Sequence, residues 1–383
     1  MNRLLHVITS TSTGGAEHML ARLAVRLRTE FTQKVISLAP LGPVAALVAQ
    51  SNIDVESVNL NPRTPNPIAL LRLHARIRAF RPNIVQTWMY HADLLGGLAA
   101  RAAGVKTIAW NIRNNTLSPQ TTSRATRLVV AACAKLSTSV PERIVCCAKS
   151  AIRTHVSLGY REEKIRYIPN GFDLTRFRPD PASRQAVRAE LNLGVETPLI
   201  GLIGRFDPQK NHEGFIRAAR MVRDQRPDVH FLLAGRNIDG LNPALANWIT
   251  EERLNDVVHL LGERADIPRL NQSLDVAVSS SSYGEAFPNV LGEAMACGVP
   301  IVCTDAGDAA DIVGPAGQVV RDGDMVGLAN ACLSLLDMPK DQRDALGAAA
   351  VRRIADQFDI ERTVDRYAAL YRDMLTTTPA SFQ

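Results

Sequence analysis

A doubly wound α/β architecture, repeated in two successive halves, is the fold class that this 383-residue sequence predicts. Three observations lead to it. Short, strongly apolar runs alternate with helical patterns along the whole chain, the rhythm of parallel strands covered by helices on both faces. A hydrophobic fraction of 46% and a charged fraction of 21% are those of a globular chain. A join rich in Pro and Gly near Ile168-Pro169-Asn170-Gly171, continuing through Phe177-Arg178-Pro179-Asp180-Pro181, then divides the sequence into two parts of ordinary domain size.

In the first half the expected strands are 4–9, 34–39, 83–89, 106–112, 143–148 and 164–169. In the second they are 199–204, 230–235, 257–262, 274–279 and 300–304. The first helix is expected over 17–28, where Leu20, Leu23, Ala24 and Leu27 share one face. These elements imply domains over 1–170 and 171–357, with a final helix over 358–375 carrying Ile360, Val364, Tyr367, Leu370 and Tyr371. Periodicity alone lets that helix pack on either domain.

No apolar run approaches the roughly 20 residues that cross a bilayer. The N-terminus lacks the small-residue cleavage pattern of a signal peptide, so a cytoplasmic location is expected, on the inner face of a membrane. Cys133, Cys146, Cys147, Cys297, Cys303 and Cys332 form no C-x-x-C pair and have no His at metal-ligand spacing, so they are expected to be reduced core thiols. The formal charge of +6 is uneven: residues 1–175 hold 22 basic against 9 acidic side chains, a balance of +13, and the remainder is at −7. Such a surplus suits an anionic membrane surface or a phosphate-bearing acceptor.

Ligands of open α/β sheets bind beyond the carboxyl ends of the strands, so the chemistry is sought in the segments that follow them. The most informative runs from Gly284 to Pro300. Pro288 suits the first turn of a helix and Gly298 its stop. Phe287, Pro288, Asn289 and Val290 then lie at the positive end of the helix dipole, a ready phosphate site. Glu293, one turn beyond Asn289, shares its face and is placed for two vicinal hydroxyls of a ribose. Glu285, in the preceding loop, reaches toward a sugar on the other side of the phosphates. After the strand 199–204, Arg205 and Lys210 match the two charges of a diphosphate. Gly14 and Gly15, after the first strand, let the backbone approach a ligand closely.

In combination, the E-x7-E pattern of Glu285 and Glu293, with GRFDPQKN, IPNGFDLTRF and the early GGAE, closely resembles the retaining GT-B glycosyltransferases of family 4. The resemblance implies transfer from a nucleoside-diphosphate sugar, expected to be a UDP-sugar, with retention at the anomeric carbon and no further cofactor or metal. It assigns Glu293 to the ribose, Glu285 to the donor sugar, Arg205 and Lys210 to the diphosphate, and Gly14 and Gly15 to a loop under the phosphates. It also sends the last helix back onto the N-terminal domain. Many relatives carry a His at the end of the strand equivalent to 83–89. Here Trp88 takes one usual His position, and His91 is the nearest candidate for the catalytic role. His18 and His212 are expected at the surface or as caps.

The expected acceptor is a lipid-linked or lipopolysaccharide-type saccharide, with no nucleic acid as partner. Two rivals fit the same fold: a sugar-nucleotide epimerase, for which Asp93 is the most suggestive acid, and a silent binder of donor or lipid.

Overall fold

A computed structural model describes residues 1–60, 67–115, 117 and 122–377. Two compact units result, Met1–Gly171 joined by the segment from Ile360 onward, and Phe172–Asp359 between them. In the first unit β1 (Asn2–Ile8), α1 (Gly15–Leu27), β2 (Phe31–Ser37), α2 (Pro43–Ala49), β3 (Asp54–Ser57), α3 (Pro67–Phe80), β4 (Ile84–Trp88), α4 (Tyr90–Ala102), β5 (Ile108–Ile112), α5 (Arg124–Leu136), β6 (Arg143–Cys146), α6 (Lys149–Ser157) and β7 (Ile165–Tyr167) alternate. The strands pair in parallel in the order β3-β2-β1-β4-β5-β6-β7.

The winding reverses between β1 and β4, where Leu4 pairs with Ile84 and Ile8 with Trp88. Right-handed crossovers put the helices on opposite faces either side of such a point. Accordingly α1 packs on α2, while α3, α4 and α5 form a neighbouring layer. Gly96 and Gly97 let α4 lie close on the sheet: a Cβ at Gly97 would come within 2.6 Å of Trp110 Nε1, and one at Gly96 within 2.9 Å of Val7 Cγ1.

The second unit runs α7 (Pro181–Glu190), β8 (Leu199–Ile203), α8 (His212–Gln225), β9 (His230–Ala234), α9 (Pro243–Glu251), β10 (Val258–Leu260), α10 (Ile267–Ser273), β11 (Val276–Ser279), α11 (Asn289–Ala296), β12 (Ile301–Thr304), α12 (Ala309–Val313), β13 (Gly317–Val320), α13 (Met325–Asp337) and α14 (Lys340–Phe358). Its parallel sheet has the order β10-β9-β8-β11-β12-β13, reversing between β8 and β11. Its core gathers Ile200, Leu202, Phe215, Phe231, Leu233 and Val278.

The chain then returns to the first unit as α15 (Ile360–Thr377). Tyr367 and Tyr371, both fully buried, pack in one core with Leu4, Leu27, Phe31 and Trp88. The Tyr371 hydroxyl donates to Gln86 Oε1 at 3.1 Å, and Asn111 Nδ2 donates to the Tyr367 hydroxyl at 2.9 Å.

Several boundaries differ from those expected. Phe358 ends α14, and the extended Asp359 (ψ 137°) separates it from α15, so the last helix starts at Ile360 rather than at 358. β2 begins at Phe31, three residues before the expected strand. Two strands were not anticipated at all. Both β3, with no buried residue, and β13, also without one, lie at sheet edges, where a strand needs no apolar run. The six cysteines are all buried free thiols.

Candidate active site

In the second unit, β8 and β11 are the neighbours at which the strand order reverses, and the loops leaving their carboxyl ends flank a crevice. After β8, Asp207 Oδ1 accepts from Gln209 N at 3.0 Å and caps one tight turn over Pro208–Lys210. Asn211 then adopts the left-handed conformation (φ 50°), and its Oδ1 accepts from Gly214 N at 3.1 Å to start α8. Asn is among the few residue types that visit this region readily. This reversal turns Lys210 toward the loop after β11, where its ammonium pairs with Glu285 Oε1. Only 13% and 11% of the two side chains remain exposed. Ser281 Oγ donates to the same oxygen at 3.2 Å. Arg205 stays 52% exposed, its Nε bonded to Asp207 Oδ2 at 3.1 Å and its Nη2 to Gln209 Oε1 at 3.3 Å.

The loop bearing Glu285 is held from below. Ser280 Oγ donates to Lys210 O at 2.7 Å, Ser282 N to Gln209 O at 2.9 Å, and Thr304 Oγ1 to Ser281 O at 2.6 Å. Gly307, at φ 66°, lies so close that a Cβ there would be 2.2 Å from Glu285 O. Pro288 sits one position earlier than expected, as the N-cap of α11, and no side chain of that residue satisfies the first amides. Those N–H groups carry the positive end of the helix dipole. Glu293 lies one turn into α11, partly buried. Phe287 is placed otherwise than a ligand contact would need. Its ring stacks on Phe172 at 6.1 Å and meets Phe358 edge-on at 5.6 Å, so it serves packing and offers only its backbone. His212, expected at the surface or as a cap, is 3% exposed against Phe206, and burial lowers its pKa to about 4.

In the first unit the reversal point lies between β1 and β4, and Thr9 Oγ1 donates to Trp88 O across it at 3.4 Å. Gly14 is the N-cap of α1, and Gly15 opens the helix. The loop before them is tied to the Glu17 carboxylate, which accepts from Ser10 Oγ at 3.1 Å and Ser12 Oγ at 3.4 Å. After β4, Met89 takes φ 71° and ψ 156°, a costly conformation for a residue with a side chain. This sharp turn puts His91 in the first turn of α4, half-buried, with burial lowering its pKa. The helix begins at Tyr90, directly after this turn. Trp88 is fully buried and donates through Nε1 to His6 Nδ1 at 3.2 Å; it is a core residue.

Asp93 is 1% exposed beneath the same turn, accepting at Oδ1 from Thr87 Oγ1 at 2.5 Å and Asn111 N at 3.2 Å. Burial raises its pKa to about 8. An acid so enclosed is not poised beside a sugar ring, which weighs against an epimerase.

The sites divide accordingly. Arg205, Lys210, Glu285, Asn289, Val290 and Glu293 lie on the segments that follow β8 and β11 in the second unit, while Gly14, Gly15 and His91 lie on those that follow β1 and β4 in the first. Sequence reading did not single out Ser281, Gln209, Thr304 or Gly307 as supports of this arrangement. Of these only Gly307, an isolated Gly in a loop, carries a local signal.

Two family models match the chain, Glycosyltransferase Family 4 over residues 13–176 and Glycosyl transferases group 1 over residues 197–338. The chain is a group 1 glycosyltransferase. Its two parallel-sheet α/β units are those of the GT-B fold. The glycosyltransferase is 27% identical to the UDP-Gal:alpha-D-GlcNAc-diphosphoundecaprenol alpha-1,3-galactosyltransferase of Escherichia coli, across 80% of this chain and 79% of that one. It is also 27% identical to the lipopolysaccharide core biosynthesis mannosyltransferase LpsB of Rhizobium meliloti, over 54% of this chain and 60% of the relative. Among solved structures, HepE of Anabaena, in complex with UDP and glucose, superposes with a TM-score of 0.86 at 23% identity, covering 97% of this chain and 100% of that one. Among the described residues no helix is long and apolar enough to cross a membrane.

Proposed function

We propose that this glycosyltransferase moves a sugar from a nucleoside-diphosphate sugar, a UDP-sugar, to a lipid-linked or lipopolysaccharide- or exopolysaccharide-type saccharide, with retention at the anomeric carbon. The observation that carries the donor reading is the enclosed Lys210–Glu285 pair beside the N-terminus of α11. A cation, a second cation at Arg205 and the positive end of the α11 dipole, which Pro288 leaves without a side-chain cap, form a docking point for two phosphates. Glu293 then takes the ribose hydroxyls and Glu285 a hydroxyl of the donor sugar. His91 acts on the reacting sugar from the N-terminal unit. In the reaction the bond from the anomeric carbon to the diphosphate oxygen breaks and one to the acceptor oxygen forms. The acceptor proton leaves with the diphosphate, whose developing charge Arg205 and Lys210 stabilise.

The relatives that act on a diphosphoundecaprenol-linked sugar and in lipopolysaccharide core biosynthesis support the acceptor class. Such acceptors lie at a membrane, and the N-terminal balance of +13 suits peripheral binding to an anionic bilayer. The test is transfer from a panel of UDP- and GDP-sugars to an undecaprenyl-diphosphate-linked acceptor, with the product's anomeric configuration read by NMR. A product of inverted configuration, or GDP-sugars used in preference, overturns the corresponding part of the reading.

A further inference from the structure

We infer that the outer face of the α3–α4–α5 layer is the surface by which the protein docks on an anionic phospholipid bilayer. The inference rests on the membrane reading above and assigns it to one face. Between residues 57 and 141 the sequence holds eleven Lys and Arg side chains and a single acid, Asp93. That acid is 1% exposed, so nothing on this stretch offers a carboxylate to solvent. The layer therefore contributes no exposed carboxylate of its own, although Arg76 on α3 pairs with Glu56 of the neighbouring β3 at 3.1 Å.

Its apolar side chains point the same way. In α3 the buried line is Ala69, Leu73 and Ile77, which fixes the opposite side as the outer one. There Leu71 is 68% exposed, beside exposed Arg72 and Arg78. In α5 the outer line is Arg124, Leu128 and Lys135, with Leu128 72% exposed. Leu98 on the intervening α4 is 41% exposed. Leucines ringed by cations are what an interfacial surface needs: the alkyl tips enter the headgroup boundary while the cations meet phosphate.

The rest of the protein supplies the contrast. Several exposed helix cations of the second unit are paired along their own helices, Arg217 with Glu213, Arg220 with Asp224 and Lys340 with Asp344. On the opposite side of the first unit Arg26 pairs with Glu361, and Arg372 with Glu30. A face built only for solubility mixes its signs in this way. The combination of single-sign charge and exposed leucines favours a lipid surface over a nucleic acid, which has no use for the leucines.

The experiment is co-sedimentation of the full chain with vesicles of phosphatidylcholine alone or containing phosphatidylglycerol, at low and high salt. The proteins are the parent, the Arg72→Gln/Arg78→Gln/Arg124→Gln variant, the Leu71→Ser/Leu128→Ser variant, and an Arg217→Gln/Arg253→Gln/Lys340→Gln control of equal charge change. The parent is expected to partition onto anionic vesicles only, and less at high salt. The arginine variant should bind about a hundredfold more weakly, each cation near the surface being worth about fivefold. The leucine variant should bind about tenfold more weakly, and the control within about twofold of the parent. Parent-like binding by both face variants overturns this face and leaves the membrane reading standing. A parent that binds no vesicle overturns both. A parent that leaves the vesicles for added single-stranded RNA reassigns the face to nucleic acid. UDP binding by calorimetry, expected unchanged throughout, separates these outcomes from misfolding and from failure of the donor reading.

Discussion

Lys210 and Glu285, 75 residues apart in sequence, meet as an ion pair that is almost wholly withdrawn from water. The pair joins the loop after β8 to the loop after β11, so the two walls of the crevice are fastened by groups that are themselves proposed to hold the donor. Arg205, by contrast, is half exposed and bonded to partners within its own loop. On the proposed donor reading, an incoming diphosphate would draw on a fixed cation and a movable one.

Substitution should separate the two. Lys210→Ala removes the proposed phosphate ligand and strands the Glu285 carboxylate, so nucleoside-diphosphate affinity should fall well beyond tenfold and thermal stability should drop. Arg205→Ala should cost about tenfold in affinity, in line with roughly 1.5–3 kcal/mol for a charge-assisted bond, and leave stability unchanged. Adding Glu285→Gln to Lys210→Ala should recover stability without recovering affinity. Calorimetry and thermal melts read both quantities, and equal effects of the two single substitutions would contradict the division.

Gly307→Ala tests the support of the Glu285 loop. Its positive φ and the 2.2 Å approach to Glu285 O leave no room for a methyl group. The loop must shift, with a cost of about 1–3 kcal/mol and a loss of donor affinity although residue 307 touches no ligand. Unaltered UDP binding would show that the loop position is not what places Glu285.

For Asp93 the prediction is a pH dependence. Its pKa rises from 3.8 in the ordinary case to about 8 on burial. Between those values the folded chain holds a proton that the unfolded chain releases, so stability falls as pH rises through the window, by about 1 kcal/mol per unit. Tyr90, Cys133 and Tyr160, the titratable groups that share its surroundings, have pKa values raised by burial and stay neutral there. Asp93→Asn should therefore gain on the parent steadily from acid toward alkaline pH. Parallel stability–pH curves for the two proteins would refute it.

His91→Ala is expected to leave UDP binding nearly intact and to lower turnover at least about a hundredfold, as for an interaction felt mainly in the transition state. Burial lowers the pKa of His91, so the neutral imidazole is the form present at pH 7. The parent's turnover should decline only at acid pH, and that limb should vanish in His91→Gln. Transfer within a few-fold of the parent by His91→Ala removes the residue from the chemistry.

What the sequence determined by itself was whatever is encoded locally. Central strands such as β8 and β9 announce themselves because burial on both faces favours apolar runs, and the helix of Asn289–Ala296 is bounded by its own Pro and Gly. The segments that follow those strands were therefore legible as candidate sites, with Lys210, Glu285 and Glu293 among them. Tertiary structure alone decided what depends on distant partners. The edge strands β3 and β13 exist only because a neighbour offers them a ladder to complete. Trp88 becomes a core residue through His6, and Asp93 is turned inward through Thr87 and Asn111. That Lys210 neutralises Glu285, and that Gly307 must lack a side chain for the sake of a loop more than 20 residues earlier, are facts of packing. Contacts across such separations leave no periodicity in the chain, because close packing constrains the pair and not the spacing between its members.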